Sequence, residues 1–475
     1  MELLLKFLID YFFIVNIVFV LIIIFTEKKR PVYTIFWVIL LILAPYTGFI
    51  FYLFFGLSFQ KSRIIKKFYG KSFLSFNNGP DKKNSPLKSL KRWHHLIQYL
   101  EVSQAGILTS YKDVTLFTSG NDFFANLIQD ILQAQNSIHM EYFIFKDDKL
   151  GNTLFSSIMK KAKEGIKIRL ILDGTNSLTL KKLKEFKNSG IEVELFSPSF
   201  FHWLKIANIR ANYRDHRKIS IIDGKIGYIG GFNIANEYIG KGNLGKWRDT
   251  AVRITGCTVN EIEKEFSLSW NFIQKDSKEN FLYPNFRNES SPNENYAQLV
   301  SSGPNFQLHT ARDNFLKLVL EAKNYIFLET PYFVPDEPLV EALKIASLSG
   351  VKVKIIIPDK PDHPFIYWIN QSFARDLSKY GIKFYRYSEG FIHSKLLMVD
   401  GEVASLGTIN FDYRSFFNNF EININFYGGD ITRKIILVFK EDLLNSQPLI
   451  FTQEDNNSIL TKFKESIFRL LSPLF

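Results

Sequence analysis

The residues able to do chemistry in this chain come in two matched sets. His216, Lys218, Asp223, Gly230, Gly231 and Asn233 recur as His393, Lys395, Asp400, Gly407, Thr408 and Asn410. In both sets Lys follows His by two residues, Asp by seven and Asn by seventeen, and the sets stand 177 residues apart. Six positions held in one register mark a duplicated unit. A His and a Lys two apart on a strand point to the same face, so each unit presents an imidazole beside an ammonium. Glycine and asparagine at the following turn add close backbone approach and amide donors. Two such units facing each other suit a phosphoryl group. Lys218, Lys395, Asn233 and Asn410 neutralise its oxygens, one histidine attacks phosphorus and the other protonates the leaving oxygen. The lysines supply the positive charge, so this chemistry needs no metal and no cofactor.

The elements that must position these groups can be read from apolar patterning. Ile219 to Ile222 and Leu396 to Val399 are short apolar runs entering Asp-Gly turns, which reads as buried strands. Asp223 and Asp400, although part of the catalytic motif, are expected to fix its turn and strand. In the first half, helices are expected over 123–135, 154–163 and 180–187, and strands over 137–145, 166–172 and 191–196. The second half repeats the order, with helices over 314–322, 339–348 and 373–379 and strands over 325–333, 351–357 and 382–387. Glu141 and Glu329 match inside corresponding strands. Strands alternating with helices predict an α/β fold of two sandwich halves with covered sheets. The expected boundaries are a hairpin of two transmembrane helices at 1–59, a basic juxtamembrane connector at 60–104, a first half at 105–275, a linker at 276–295 and a second half at 296–475.

Composition narrows the class. The chain has 475 residues, is 46% hydrophobic and 22% charged, and carries a formal charge of +12, which favours an anionic partner. One cysteine, Cys257, excludes an internal disulfide. Leu3 to Phe25 and Val32 to about Leu57 are apolar and long enough to cross a bilayer, with Glu27-Lys28-Lys29-Arg30-Pro31 as a polar hairpin between them. The larger basic cluster, Lys61 to Lys71, follows the second span and predicts a cytoplasmic catalytic domain on the cell membrane. The aromatic stretch 197–213 is read as a lip that contacts lipid or as a packed insertion. The pattern over 459–471 predicts an amphipathic basic helix lying on anionic lipid or docked on the protein itself.

The doubled His-x-Lys-x4-Asp pattern resembles the phospholipase D superfamily, with two halves packed as a pseudo-dimer. Within it the chain is similar to bacterial cardiolipin synthases. The likeness is carried by Lys28-Lys29-Arg30-Pro31, Ala44-Pro45-Tyr46-Thr47-Gly48, Phe54-Phe55-Gly56, Asn212 to Lys218 and Ser302-Gly303-Pro304. The resemblance implies transfer of a phosphatidyl group between two phosphatidylglycerol molecules, giving cardiolipin and glycerol through a phosphatidyl-histidine. It implies anionic phospholipid and the bilayer as partners rather than nucleic acid; nothing in it specifies an oligomeric state. A hydrolase, or a transferase using another alcohol, would share the motifs. By resemblance His216 is the nucleophile and His393 the acid and then the base. A nucleophilic histidine needs a carboxylate on its other nitrogen. Glu421, 28 residues after His393, and Asp249, 33 after His216, are the candidates, each read with the histidine of its own half. Thr408 is the one hydroxyl expected at its position, Gly231 replacing it in the first half.

Overall fold

The computed structural model describes residues 11, 14, 16–21, 24, 31–52, 88–174, 178–196, 213–274, 295–451 and 459–471. It divides into two compact units, residues 1–70 with 199–212, and residues 71–198 with 213–475.

In the smaller unit the helices Pro31–Leu43 and Pro45–Phe51 meet at Ala44. Proline lacks the amide that would continue the first helix, and the ladder restarts with Gly48 N donating to the Ala44 carbonyl. Trp37, Leu41 and Tyr52 form a small core joined by Phe19 and Phe49, and buried Asn16 donates to the Leu41 carbonyl at 2.8 Å. Ile35, Phe36, Ile39, Ile42 and Leu43 point outward. The described part of the second expected span is therefore two helices of 13 and 7 residues. Among the described residues no helix is long and apolar enough to cross a membrane; most of the first expected span lies outside them.

The larger unit holds both halves. Its first part runs β1 (Leu108–Ser110), β2 (Val114–Ser119), β3 (Ser137–Tyr142), β4 (Lys167–Asp173), β5 (Glu192–Phe196), β6 (Lys218–Ile222), β7 (Ile226–Gly230) and β8 (Trp247–Thr255). Its second part runs β9 (Tyr296–Ser302), β10 (Tyr325–Glu329), β11 (Phe333–Val334), β12 (Lys352–Pro358), β13 (Lys383–Tyr387), β14 (Phe391–Ile392), β15 (Leu396–Val399), β16 (Val403–Gly407), β17 (Phe411–Asp412), β18 (Glu421–Tyr427) and β19 (Ser446–Pro448). The order β5-β4-β3-β6-β7-β8 in one sheet returns as β13-β12-β10-β15-β16-β18 in the other. The strands β3, β4 and β5 are parallel and β6 to β8 antiparallel. The motif strands sit centrally, and all five side chains of β6 are buried, which explains why they read as unbroken apolar runs. Helices Gly120–Gln133, Lys149–Lys163 and Leu180–Asn188 cover the first sheet, as Thr310–Leu320, Glu337–Leu348 and Pro364–Ser378 cover the second.

The halves exchange strands. β14, immediately before His393, pairs with Trp247 and Arg248 of β8, while Asp215, immediately before His216, bridges to Phe420. Two long helices that the sequence reading left out, Thr258–Ile273 and Gly429–Leu444, follow β8 and β18 and pack on the sheets, touching β9 and β2 of the opposite halves respectively.

Other expectations change in detail. The strand expected over 325–333 ends at Glu329, because Pro331 interrupts the ladder, and Phe333–Val334 pairs instead with β17. The helix expected over 373–379 begins at Pro364. The end of the expected connector is not a surface tether. Lys88–Trp93 and His94–Val102 are helical, and Leu90, Trp93, Leu96, Ile97 and Leu100 are buried in the second half's core. The C-terminal helix Ile459–Leu471 docks on Pro364–Ser378 through a two-contact Arg375–Glu465 pair and an Arg469–Asp376 pair. The expected linker over 276–295 and lip over 197–213 lie almost wholly outside the described residues.

Candidate active site

Each motif is built from its aspartate upward. Asp223 and Asp400 adopt φ of 54°, a left-handed geometry tolerable for Asp, and each precedes a left-handed glycine in a tight turn. The Asp223 carboxylate accepts from the amides of Gln135, Asn136 and Ser137 at 2.9, 2.6 and 2.9 Å. Asp400 accepts from Lys323, Asn324 and Tyr325 at 2.8, 2.7 and 2.8 Å, and pairs with Arg92 at 2.5 Å. Burial pushes the Asp400 carboxyl up, but Arg92 and the three amides outweigh it and hold it below the ordinary carboxylate range. Both aspartates thus pin the loop before a parallel strand, at the end of the motif strand away from the histidine.

At the other end the two histidines are held by the opposite half. His216 N donates to the Phe420 carbonyl at 2.9 Å, and His393 N donates to the Arg248 carbonyl at 2.7 Å. The next residue in each partner strand is the carboxylate. Glu421 lies with both oxygens 3.0 Å from His216 Nδ1, and Asp249 Oδ2 lies 2.6 Å from His393 Nδ1. The two carboxylates are crossed relative to the expected pairing within each half: Glu421 lies against His216 and Asp249 against His393. Strand exchange is the physical cause, because it brings each carboxylate strand beside the other half's motif. The carboxylate leaves Nε2 of each ring as the nitrogen that can meet substrate.

The surroundings set the charges. Lys218 and Lys395 are buried and donate back to the carbonyls of His216, at 2.5 Å, and of His393. Lys395 Nζ also lies 2.8 Å from His393 Nδ1. Burial lowers the Lys218 ammonium to about 7 and Lys395 to about 8; Glu421 and Asp249 oppose this, and Lys395 adds to the drop at Lys218. Burial also lowers both imidazolium groups. His216 falls against the pull of Glu421, and His393 falls to about 4, with Lys395 contributing and Asp249 opposing. The two carboxylates stay below their ordinary range in spite of burial, because the facing histidines and lysines favour their ionised forms. Two lysines, two imidazoles and two ionised carboxylates thus share one buried site, the kind of cluster in which pKa values shift at functional centres.

Asn233 Oδ1 accepts from Ile144 N at 3.2 Å, and its amide donates to the Tyr238 hydroxyl at 2.5 Å. Asn410 is buried, and its Oδ1 has no hydrogen-bond partner among the described residues. Thr408 Oγ1 donates to the Ile422 carbonyl at 3.1 Å and accepts from the Ile422 amide at 2.9 Å. Gly231, its counterpart, is required: a Cβ there would lie 2.0 Å from Asp249 Oδ1.

Beneath the site lie two arginines that the sequence reading passed over, Arg217 paired within the first half and Arg248 paired with the second. Arg217 lies 3.3 Å from Glu141, 3.2 Å from Asp215 and 3.5 Å from Glu265. Arg248 lies 3.7 Å from Glu329 and 2.6 Å from Asp442. Burial raises Glu329 to about 8 and Glu141 well above its usual range, so the matched strand glutamates belong to these networks. Their sequence signal was the Glu141 and Glu329 match itself.

Comparison with known proteins gives the chain's family. The family profile described as "Cardiolipin synthase, PLD-like domain" matches residues 127–270 and 315–443, and one described as "Phospholipase D-nuclease N-terminal" matches 14–56. The chain is 39% identical to the major cardiolipin synthase of Bacillus subtilis over 98% of both chains. It is 39% identical to cardiolipin synthase 1 of Staphylococcus epidermidis, over 97% of this chain and 96% of the other. The crystal structure of phosphatidylserine synthase from Haemophilus influenzae superposes with a TM-score of 0.62 at 13% identity, over 82% of this chain and all of that one, and so shares the fold. The chain belongs to the cardiolipin synthase family of phospholipase D-like proteins.

Proposed function

We propose that this protein is a cardiolipin synthase, a phosphatidyltransferase that joins two phosphatidylglycerol molecules and releases glycerol. The observation that carries this reading is the pair of His-Lys motifs buttressed by crossed carboxylates, in a chain that aligns end to end with cardiolipin synthases. In the first step His216 Nε2 attacks the phosphorus of one lipid, and His393, whose protonated form the bound phosphodiester anion favours, passes a proton to the departing glycerol oxygen. In the second step neutral His393 takes the proton from a hydroxyl of the second lipid's glycerol. That oxygen then attacks the phosphatidyl-histidine and frees His216. One phosphodiester replaces another, so no nucleotide is consumed. Lys218 and Lys395 would balance the phosphoryl oxygens, with Asn233 and Asn410 beside them.

The N-terminal segment anchors this chemistry at its substrate. The outward apolar side chains of Pro31–Leu43 and the apolar stretch before it support a multi-pass attachment to the cell membrane, with the catalytic unit on the cytoplasmic face. The test is conversion of phosphatidylglycerol in liposomes by the purified protein, with chelator present, followed by mass spectrometry. Cardiolipin with free glycerol, lost in His393→Ala, is the expected result. Phosphatidic acid alone would make water the acceptor and overturn the transferase reading.

A further inference from the structure

The duplication is broken at two positions that decide what each histidine meets. Ser415 follows Asn410 by five residues, as Tyr238 follows Asn233; Asn419 precedes Glu421 by two, as Trp247 precedes Asp249. On the His216 side both positions are polar and serve the carboxylate. Ser415 Oγ donates to Glu421 Oε1 at 2.9 Å and Asn419 Nδ2 donates to the same oxygen at 3.1 Å, all three residues being buried. On the His393 side both are aromatic and pack on the imidazole itself. The rings of Tyr238 and Trp247 lie 5.6 and 5.3 Å from that of His393. There, Asp249 Oδ1 accepts instead from the Thr250 amide at 2.7 Å.

We propose that Ser415 and Asn419 are positioning residues that act on His216 through Glu421, and that this polar pair, set against the Tyr238–Trp247 pair, divides the roles of the two histidines. This rests on the phosphatidyl-transfer reading above. A histidine that bonds phosphorus through Nε2 while keeping its Nδ1 proton becomes a cation for the lifetime of the intermediate. That cation needs a carboxylate that stays ionised and fixed in place, and two neutral donors on one oxygen provide both. A histidine that only shuttles a proton is neutral in half the cycle, and a drier aromatic wall suits it. The charged groups facing Glu421 are His216, Lys218, Lys395, Asp412 and Arg414. His216 Nδ1 lies 3.0 Å from both Glu421 oxygens, and Ser415 and Asn419 are the further donors to Oε1.

The test is the pH profile of glycerol release, with cardiolipin measured separately, by full-length Asn419→Asp and Ser415→Ala in phosphatidylglycerol vesicles. Because glycerol release reads histidine chemistry whatever the acceptor, its result stands even if cardiolipin is not the product. Asn419→Asp is isosteric. Protonated, it still donates to Glu421; ionised, it repels it. Its activity is therefore highest in acid and collapses as pH rises, moving the optimum to lower pH. Ser415→Ala lowers kcat about 10- to 100-fold with KM little changed, and Ser415→Thr restores it. In Ser415→Ala the acid limb moves to higher pH, because Glu421 with one donor fewer takes up a proton sooner. Profiles parallel to the native one at uniformly reduced activity would mean the two residues only stabilise the fold, and would overturn the proposal.

Discussion

At the scale of single residues, the site is legible as a charge problem. Lys218 and Lys395 are held at about 7 and about 8 by burial, so both are cations only below those values. Since kcat/KM reports the free enzyme, it should fall as pH rises from about 7 to 8, where the lysines lose the charge that balances the phosphodiester. Lys395→Arg, whose guanidinium stays charged, should push that alkaline limb upward at reduced overall activity. An alkaline limb unmoved by the substitution would show that some other group sets it. His216→Ala should lower turnover on the order of ten-thousand-fold, as removal of a nucleophile does elsewhere, while the circular dichroism spectrum stays native. Gly231→Ala is a subtler probe. Its Cβ would displace the Asp249 carboxylate, so it should impair catalysis severely with only modest loss of thermal stability, measured on the same preparation.

At the scale of elements, sequence patterning succeeded where a segment is buried on both faces or carries a motif, and failed where helices are built from mixed composition. The motif strands and the repeated order of helix and strand were visible because apolar runs and Asp-Gly turns are local signals. Thr258–Ile273 escaped notice because its buried face includes Glu261, Glu263, Glu265, Ser267 and Ser269, which look like surface residues until the opposing arginine and histidine are placed. His94–Val102 escaped because it follows a basic polar stretch. Its burial depends on partners more than 200 residues away, such as Gln298, whose amide donates to the Ile97 carbonyl, and Asp313, which accepts from the Tyr99 hydroxyl. Trp93 tests that reading. It is 2% exposed and donates to Glu402 at 3.0 Å, so Trp93→Ala should cost about 3–5 kcal/mol of stability. Denaturant unfolding of the second half would measure it. A surface connector would show a change of less than about 0.5 kcal/mol.

At the scale of the whole molecule, the crossed carboxylates change what the duplication means. The sequence displays two complete motifs, and a motif that looks complete invites pairing His216 with Asp249 and His393 with Glu421, within each half. That pairing could not be corrected from spacing, because the exchange is made by backbone contacts, from β14 to β8 and from Asp215 to Phe420, that leave no periodic signature. The consequence is that neither half holds a finished histidine. The first has His216 without Glu421, and the second has His393 without Asp249. Splitting the chain within the polar stretch 276–294 should therefore give two fragments that release no glycerol singly, even at high concentration. Co-expression should restore activity, since the strand exchange and the pairing of Arg248 with Asp442 join the two halves. Complementation should survive when His216→Ala is introduced into one copy of the first fragment beside an intact copy, and fail when every copy carries it. Measurable turnover by either fragment alone, as a monomer, would contradict the crossed arrangement. Turnover by one fragment as a homodimer would instead show that its own carboxylate can cross to a second copy's histidine, which is the symmetric ancestor the two sheets imply.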